Sequence, residues 1–517
     1  MVVSRSGLGK AGTTVEFRSP AWDRQHPNWR QIDGRIPEEH LAHCIDEGVD
    51  NLDLRPLIRS YQGRGSPPWP PDLMLKIVMY EIATGTPSPA GWFRATRDSD
   101  TVKWLGFGIQ PSRTICYDFW DRLAPYFDGW NAQVLQSAVD RGLTSASRAA
   151  QDGTTVAAHA SRHKLVNQET LKRHLEELEE TLSLEEEGGS PERVPGWMAK
   201  HPETRQEQRL QYERASERME QLQVENRKRR ACKRKSPEKI VVSVSDSEAA
   251  CGRDKLKVFR PLYNVQLNYD LDSPFILGYD VFDRVTDSGT LSPMLERTSE
   301  MTGVKPEVLL ADSGYATILD LDACAHHGVI LYAPVNENDY SERNDRKPQT
   351  NQFTQLPKSQ FSWLVDEGTY MCPQGNRLRA ERTTWVKRAG DQRLRNTTFR
   401  CPAEKCQVCP RQTDCTPTPD KGRTVSRLEK EELLDELRIR MQSDEAKALH
   451  RLRSRTVELA FVDMKEHGSL RRFNGRGLRK ARAQIGALVL AHNLLALLRE
   501  RHGHETANTT RTLEKSG

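Results

Sequence analysis

The sequence reads as a strand just after residue 146, leaves that pattern between residues 165 and 239, and returns to it from residue 240. Inside the interruption Leu171, Leu175, Leu178 and Leu182 recur at heptad spacing, and so do Tyr212, Ala215, Met219 and Leu222. The linker EEGGSPERVPG lies between the two runs. Two short heptad stretches joined through Gly and Pro predict an antiparallel helical hairpin better than a dimerising coiled coil. A chain built this way must assemble one α/β core from strands that flank an insertion.

The flanking strands carry the interesting side chains. SRAAQDGTTVAAHAS (Ser147–Ser161) holds a single acid, Asp152, followed at once by glycine. KIVVSVSD, FRPLYNVQLNYD and FILGYDVFD mix alternation with β-branched and aromatic residues and read as strands. GTLSPMLERTSEMTG reads as a helix, PEVLLADSGYA as a buried strand ending in Asp312, and GVILYAPV as a further strand. Tyr263, Asn264 and Gln266 look like parts of a strand lining the catalytic face.

Upstream, the first 145 residues read as mostly helical. PPDLMLKIVMYEIATG starts with prolines suited to a first turn, places Leu73, Ile77 and Tyr80 on one face, and ends at Gly85. In SRTICYDFWDRLAPYF, Ser112 is an N-cap candidate, with Ile115, Phe119 and Leu123 four apart. Such short helices suit a DNA-binding module or a plain bundle equally. Downstream, residues 346–425 are rich in Thr and Arg with strand-like pieces, residues 426–500 return to helix, and 501–517 read as a disordered tail.

Length allows about two to four domains. With 29% charged and 7% aromatic residues the chain reads as soluble and globular. The formal net charge of +5 says little, but its distribution says more. An acidic block, EELEETLSLEEE (Glu176–Glu187), precedes a basic one, NRKRRACKRKSPEK (Asn226–Lys239). Basic residues also crowd RAERTTWVKRAGDQRLRNTTFR and SLRRFNGRGLRKARA. Such clusters are either solvated surface or contacts for phosphate backbones. MVVSRSGLGKAGTT has no apolar core and does not read as a secretory signal. The longest apolar run, IGALVLAHNLLALL (Ile485–Leu498), is short for a bilayer and carries His492 and Asn493, so no membrane is expected. The ten cysteines do not suggest a disulfide framework, and a reducing cytoplasm is the expectation.

In RTVELAFVDMKEHGSLRRF (Arg455–Phe473), Val457, Phe461 and Met464 recur at i, i+4 and i+7. Glu458 then falls at the edge of the buried face, with Lys465 two turns along on its own side. A carboxylate there needs compensation, and a divalent cation is one compensator. Asp152, Asp312 and Glu458, on two strands and a helix, could hold two Mg²⁺ or Mn²⁺ ions, which favour oxygen donors. Separately, Cys401, Cys406, Cys409 and Cys415 in CPAEKCQVCPRQTDC, with Cys372 upstream as an alternative ligand, form a candidate structural Zn²⁺ site or a set of reduced core thiols.

Three blocks carry a family resemblance: QDGTTVAAHAS, LLADSGYA and HRLRSRTVELAFVDMK with the following RRFNGRGLRKARAQIGALVLAHNL. In this order they resemble the DDE transposases of bacterial insertion sequences, most closely the class with a Tyr-Arg-Glu-Lys signature. PPDLMLKIVMYEIATGTPSPAGWFRATRDSDTVKWL resembles the helical N-terminal domain of that family. The resemblance implies an RNase H-like catalytic core, a mixed sheet flanked by helices. It also implies an N-terminal helical DNA-binding domain (1–145), a helical-hairpin insertion (165–239) and a β-rich, candidate zinc-binding insertion (346–425). The core would comprise 146–164, 240–345 and 426–500. Asp152, Asp312 and Glu458 would be the catalytic metal-binding acids, and Arg453, Lys465, Arg471 and Arg472 would contact DNA. Arg453 could instead belong to a structural ion pair. Two departures stand out: His450 occupies the signature's Tyr position, and His159 replaces an Asn usual after the first aspartate. Tyr315 is expected to pack under its strand and Asn493 to be a satisfied buried amide.

The implied activity is Mg²⁺-dependent cleavage at terminal inverted repeats followed by strand transfer, by a homodimer holding both DNA ends, in the nucleoid. Two rivals are a non-catalytic DNA-binding protein whose acids are structural and a metal-dependent nuclease that cuts without joining.

Overall fold

The computed structural model describes residues 6–8, 14–63, 65–229, 231–335, 356, 358–387 and 393–515. The expected boundary at 345–346 and the middle of the Arg-rich stretch, 388–392, lie outside the described residues. The chain divides into two units. One comprises Met1–Asp287, Met294–Pro306 and Ser454–Gly517, the other Ser288–Pro293 and Glu307–Arg453.

In the first unit, a run of helices from Pro27–Asp33 to Phe127–Asp140 precedes the long strands. The helix Pro71–Ala83 starts on its prolines and buries Leu73 and Ile77. Gly85 follows at φ +86°, where an added Cβ would stand 2.3 Å from the His467 carbonyl oxygen. Ser112 caps Arg113–Leu123 by accepting the Ile115 N–H at 3.3 Å. The buried stripe of that helix is Cys116, Phe119, Trp120 and Leu123, which leaves Ile115 at its edge.

These helices share their core with the helix Leu478–Lys515, which continues into the stretch read from sequence as a tail. The apolar run Ile485–Leu498 belongs to it. Its segment Leu478–Arg499 is long and apolar enough to cross a membrane by length and composition, yet 78% of the apolar window is buried within the protein. An apolar helix surrounded by protein is a core helix. Asn131 Nδ2 donates to the Gly486 carbonyl at 2.9 Å, and Asn493 exchanges two 2.9 Å hydrogen bonds with the Ile276 backbone. Asn493 is therefore the satisfied buried amide anticipated for it.

The sheet of this unit is built on the strand Phe259–Asp270, which pairs antiparallel with Arg148–Ala157 on one side and with Ala250–Arg253 and Ile276–Phe282 on the other. Only Val242–Ser243 of KIVVSVSD is strand, while Ala250–Arg253 forms an edge the sequence did not advertise. Asp152 lies opposite Leu267, and Gly153 opposite Gln266. Directly opposed residues share a face. Asp152, Thr154 and Val156 therefore share one face with Leu267, Val265 and Tyr263, while Gly153 and Thr155 share the other with Gln266 and Asn264.

Between these strands the helices Gln168–Glu186 and Pro202–Lys228 pack antiparallel through Leu171, Leu178, Leu182, Tyr212, Ala215 and Met219. Contacts Gln168–Gln223, His174–Tyr212 and Glu185–Arg205 fix the opposite senses of the two helices. A two-residue ladder, Leu165–Val166 with Val242–Ser243, roots the pair.

In the second unit, Val308–Leu310 and Ile330–Tyr332 pair in parallel across the helix Ile318–His327, as a crossover connection requires. Arg379–Lys387, Arg393–Arg400 and Thr424–Leu428 form an antiparallel sheet, with a small hairpin at Ser362–Leu364 and Thr369–Met371. The helices Glu432–Gln442 and Asp444–Arg451 follow, and a 3₁₀ turn at Leu452–Arg455 interrupts the helical run before Val457–Glu466. Arg453 and Glu458 thus belong to different elements.

Candidate active site

Asp152 is half-buried on the strand Arg148–Ala157. The helix Val457–Glu466 packs on that strand and on Phe259–Asp270, burying Val457, Phe461 and Met464 as the spacing predicts. From its last turn, Lys465 Nζ donates to Thr154 Oγ1 at 2.5 Å, 311 residues away in sequence. Thr154 stands two residues beyond Asp152 on the same face, so the amine and the carboxylate are electrostatic neighbours. Burial pushes the Lys465 pKa down, Lys255 adds to that push, and Asp152 opposes it. Glu458 lies on the same helix, about 10 Å of rise before Lys465. It is exposed, not tucked at the edge of the buried stripe, because it stands one residue, about 100°, round the helix from the buried Val457. An acid in a first turn is also favoured by the helix dipole.

Behind Asp152 the sheet has a polar interior. Gln266 Nε2 and Asn264 Nδ2 both donate to Asp287 Oδ1, at 2.7 and 2.9 Å, and Gln151 Nε2 donates to Gln266 Oε1 at 3.1 Å. All three amide side chains are buried. Gly153 is required there: an added Cβ would lie 2.0 Å from Gln266 Nε2 and 2.3 Å from Asp287 Oδ1. The strand of Tyr263, Asn264 and Gln266 lies beside that of Asp152, but its register turns Asn264 and Gln266 to the face opposite Asp152. Tyr263 is on the Asp152 face, fully buried, with its hydroxyl donating to Asp246 Oδ1 at 2.7 Å. The amide alternation in NVQLN was the available signal for the network, but nothing in the sequence ties it to Asp287.

In the second unit Asp312 follows the strand Val308–Leu310 and caps a 3₁₀ turn, its Oδ1 accepting the Gly314 N–H at 2.7 Å. His450 Nε2 lies 3.0 Å from the Ala311 carbonyl oxygen. His450 thus pins the backbone immediately before Asp312, a contact the sequence did not suggest. Arg453 is half-buried in the turn Leu452–Arg455. Tyr315 is buried, as anticipated.

Cys372, Cys401, Cys406, Cys409 and Cys415 all line one cavity of about 20 Å³. The backbone N–H groups of Asn376 and Arg423 point at the sulfurs of Cys372 and Cys406, at 3.4 and 3.5 Å. Burial pushes the Cys401 and Cys415 thiols up, and for Cys401 hydrogen bonding with Cys406 adds to it. Among the described residues no group of three or more His, Cys, Asp or Glu stands where it could hold a metal ion. The cysteines converge, then, without a preformed ligand cage.

The other residues expected at DNA have protein partners. Arg471 pairs with Glu466 at 2.8 Å, and Arg472 donates to the carbonyls of Ala158 and Ala160 at 3.2 and 2.7 Å. Both remain exposed. His159 Nδ1 lies 3.1 Å from the Phe473 carbonyl oxygen. Arg472, Phe473 and the bridge from Ala157 to Arg472 fasten the segment after Val457–Glu466 to the end of the Asp152 strand.

Asp152 and Lys465 are thus brought together from the two ends of the sequence by the packing of Val457–Glu466 on the sheet. Two family models match: "Transposase DDE domain" over residues 371–498 and "Transposase domain (DUF772)" over residues 30–120. These matches support a DDE-type transposase of an insertion sequence, a class that generally uses divalent metal ions and has DNA as its partner. The first match covers Glu458, Lys465 and the five converging cysteines, and neither Asp152 nor Asp312. No curated protein matches the chain.

Proposed function

We propose that the chain is an insertion-sequence transposase with an RNase H-like core of the Tyr-Arg-Glu-Lys class. It binds terminal inverted repeats, cuts them and joins the freed 3′-hydroxyl to target DNA, with Asp152, Asp312 and Glu458 as its acids. The observation that carries this reading is the Lys465–Thr154 bond beside Asp152, which joins two signature blocks from opposite ends of the sequence. The three acids offer only oxygen donors, a set that fits hard Mg²⁺ or Mn²⁺. Such ions activate a water or 3′-hydroxyl and stabilise the leaving oxygen. The chain's own residues supply the rest. The Gly314 amide orients the Asp312 carboxylate, and His450 fixes the strand end that carries it. Lys465, held against Thr154, offers a cation to a phosphate approaching Asp152. Arg453, Arg471 and Arg472 add phosphate contacts, and a homodimer would hold the two ends together. Zinc in the Cys401, Cys406, Cys409 and Cys415 cluster, with Cys372 as alternative ligand, is part of this reading; it is supported by the shared cavity and the two amide–sulfur contacts.

The test is cleavage of a labelled element end with and without Mg²⁺ by wild type and by Asp312→Asn. Loss of cleavage with retained end binding supports the transposase. Equal cleavage by the variant removes Asp312 from the catalytic acids; none by the wild type favours a non-catalytic DNA-binding protein. A pre-cut end bearing a free 3′-hydroxyl should give joined product; a nuclease would give none.

A further inference from the structure

Along the body of the hairpin most cations, Arg214 excepted, are matched by acids. Lys172 pairs with Glu176, Arg173 with Glu177, Arg209 with Glu213, Arg205 with Glu185, and Arg218 with Asp283. The matching ends where Pro202–Lys228 ends. Residues 227–239 hold eight Lys or Arg and a single acid, Glu238. Among the described residues Arg227, Arg229, Lys233, Arg234 and Lys235 are exposed and have no acidic partner.

This basic stretch is folded. Asn226 Nδ2 donates to the Lys235 carbonyl at 2.7 Å, and its Oδ1 accepts the Lys235 N–H at 2.9 Å. Arg234 Nε donates to the Arg229 carbonyl at 3.0 Å. Together these bonds close the loop onto the helix end. A helix dipole accounts for cations in the last turn only, so it explains Arg227 and Lys228 and leaves the rest. The loop returns to the root ladder of the hairpin, beside the exposed Arg162 and Lys164, and Lys235 lies close enough to the edge strand Ala250–Arg253 to act on Cys251.

We propose that this hairpin root, through Arg227, Arg229, Lys233, Arg234, Lys235 and Lys239, is a docking surface for the phosphate backbone of duplex DNA. It rests on the DNA-processing reading above and adds a contact outside the acidic site. Duplex DNA offers dense fixed negative charge, about one per 1.7 Å of axis, which suits a run of unmatched cations. The stretch has no aromatic side chain to stack on bases, so the contact positions DNA without reading its sequence. It also lacks the apolar face with which an amphipathic segment enters a lipid surface.

The experiment uses the full chain and measures duplex binding against NaCl concentration. The variant combines Arg227→Gln, Arg229→Gln, Lys233→Gln and Lys235→Gln. A control variant combines Lys172→Gln, Arg173→Gln and Arg209→Gln in the ion-paired body. Each phosphate contact removed should lower the salt slope by about 0.9, so the root variant should lose about 2 to 4 in slope. Its affinity at moderate salt should fall on the order of a hundredfold, equally for element ends and unrelated duplex. The control should keep the wild-type slope. Independently of any variant, duplex should protect Lys233, Lys235 and Lys239 of the wild type from acetylation. An unchanged slope in the root variant, or equal lysine reactivity with and without duplex, overturns the surface. If the wild type still cuts element ends in that case, the transposase reading stands alone; a wild type that binds no duplex sinks both.

Discussion

The hairpin Gln168–Lys228 and the strand Phe259–Asp270 both alternate polar and apolar residues, and they use the alternation differently. In the hairpin the apolar positions meet in a seam and most Glu, Lys and Arg positions face water, the buried Arg205–Glu185 pair excepted. In the strand both halves are inside: Val265 and Leu267 are fully buried, and so are Gln266 and Asn268. Periodicity therefore reports which residues share a side, but not whether the other side is wet. The strand tolerates a polar interior because its amides find partners: Gln266 on Asp287, and Asn268 on Thr298 Oγ1 at 2.7 Å. An unpaired buried amide would cost about 1–3 kcal/mol.

The sharpest break of this comparison is Gly153→Ala. The new methyl has no room beside Gln266 and Asp287, and neither can move without giving up the hydrogen bond that justifies its burial. Overpacking of up to ~3 kcal/mol plus an orphaned amide predicts a loss of about 4 kcal/mol. Urea unfolding of the full chain measures it. A loss below about 1 kcal/mol would mean that the network is loose and that the two faces of the sheet are not so different after all.

Leu178→Ala tests the hairpin side. Leu178 is fully buried in the seam, and truncation there should cost about 3 kcal/mol. The loss should be confined to the insertion: hydrogen exchange should quicken across Gln168–Lys228 and stay unchanged in Phe259–Asp270. Equal loosening of both would show that the hairpin is not an independent patch of core. The heptads made this region readable, since helix, seam and turn all follow from local spacing. The strands around Asp152 were readable for the same reason. The contacts that organise the site were not. Thr154 and Lys465, or Ala311 and His450, are joined by tertiary packing across 311 and 139 residues, and no local pattern encodes such a pair. The exposure of Glu458 was missed because spacing locates a buried stripe but not its width: Val457 is buried and its neighbour Glu458 is not. Arg471 and Arg472 looked alike in sequence, yet one pairs with a carboxylate and the other with two carbonyls.

The smallest effect separates the two regions by pH. His174 is buried in the hairpin, stacked on Trp197 at 3.9 Å between ring centroids, with Nδ1 3.1 Å from the Tyr212 hydroxyl. Burial pushes its pKa below the ordinary value of 6.5, and Arg173 adds to the push. A histidine depressed in the folded state binds fewer protons folded than unfolded. Its stabilisation is therefore complete above about pH 6.5 and is lost as pH falls towards the folded value. Beside the strand, Asp246 has the opposite sign: burial raises its pKa, so its contribution is largest in acid and declines as pH rises through the raised value. Lowering pH from 7 to 5 should thus reduce exchange protection in Gln168–Lys228, after correction for intrinsic rates, and not in Phe259–Asp270. His174→Phe keeps an aromatic ring for the stack and cannot take a proton, so the hairpin should lose its pH dependence. Retention of the slope in that variant would show that His174 is not its source, and the hairpin would then not differ from the strand through its seam.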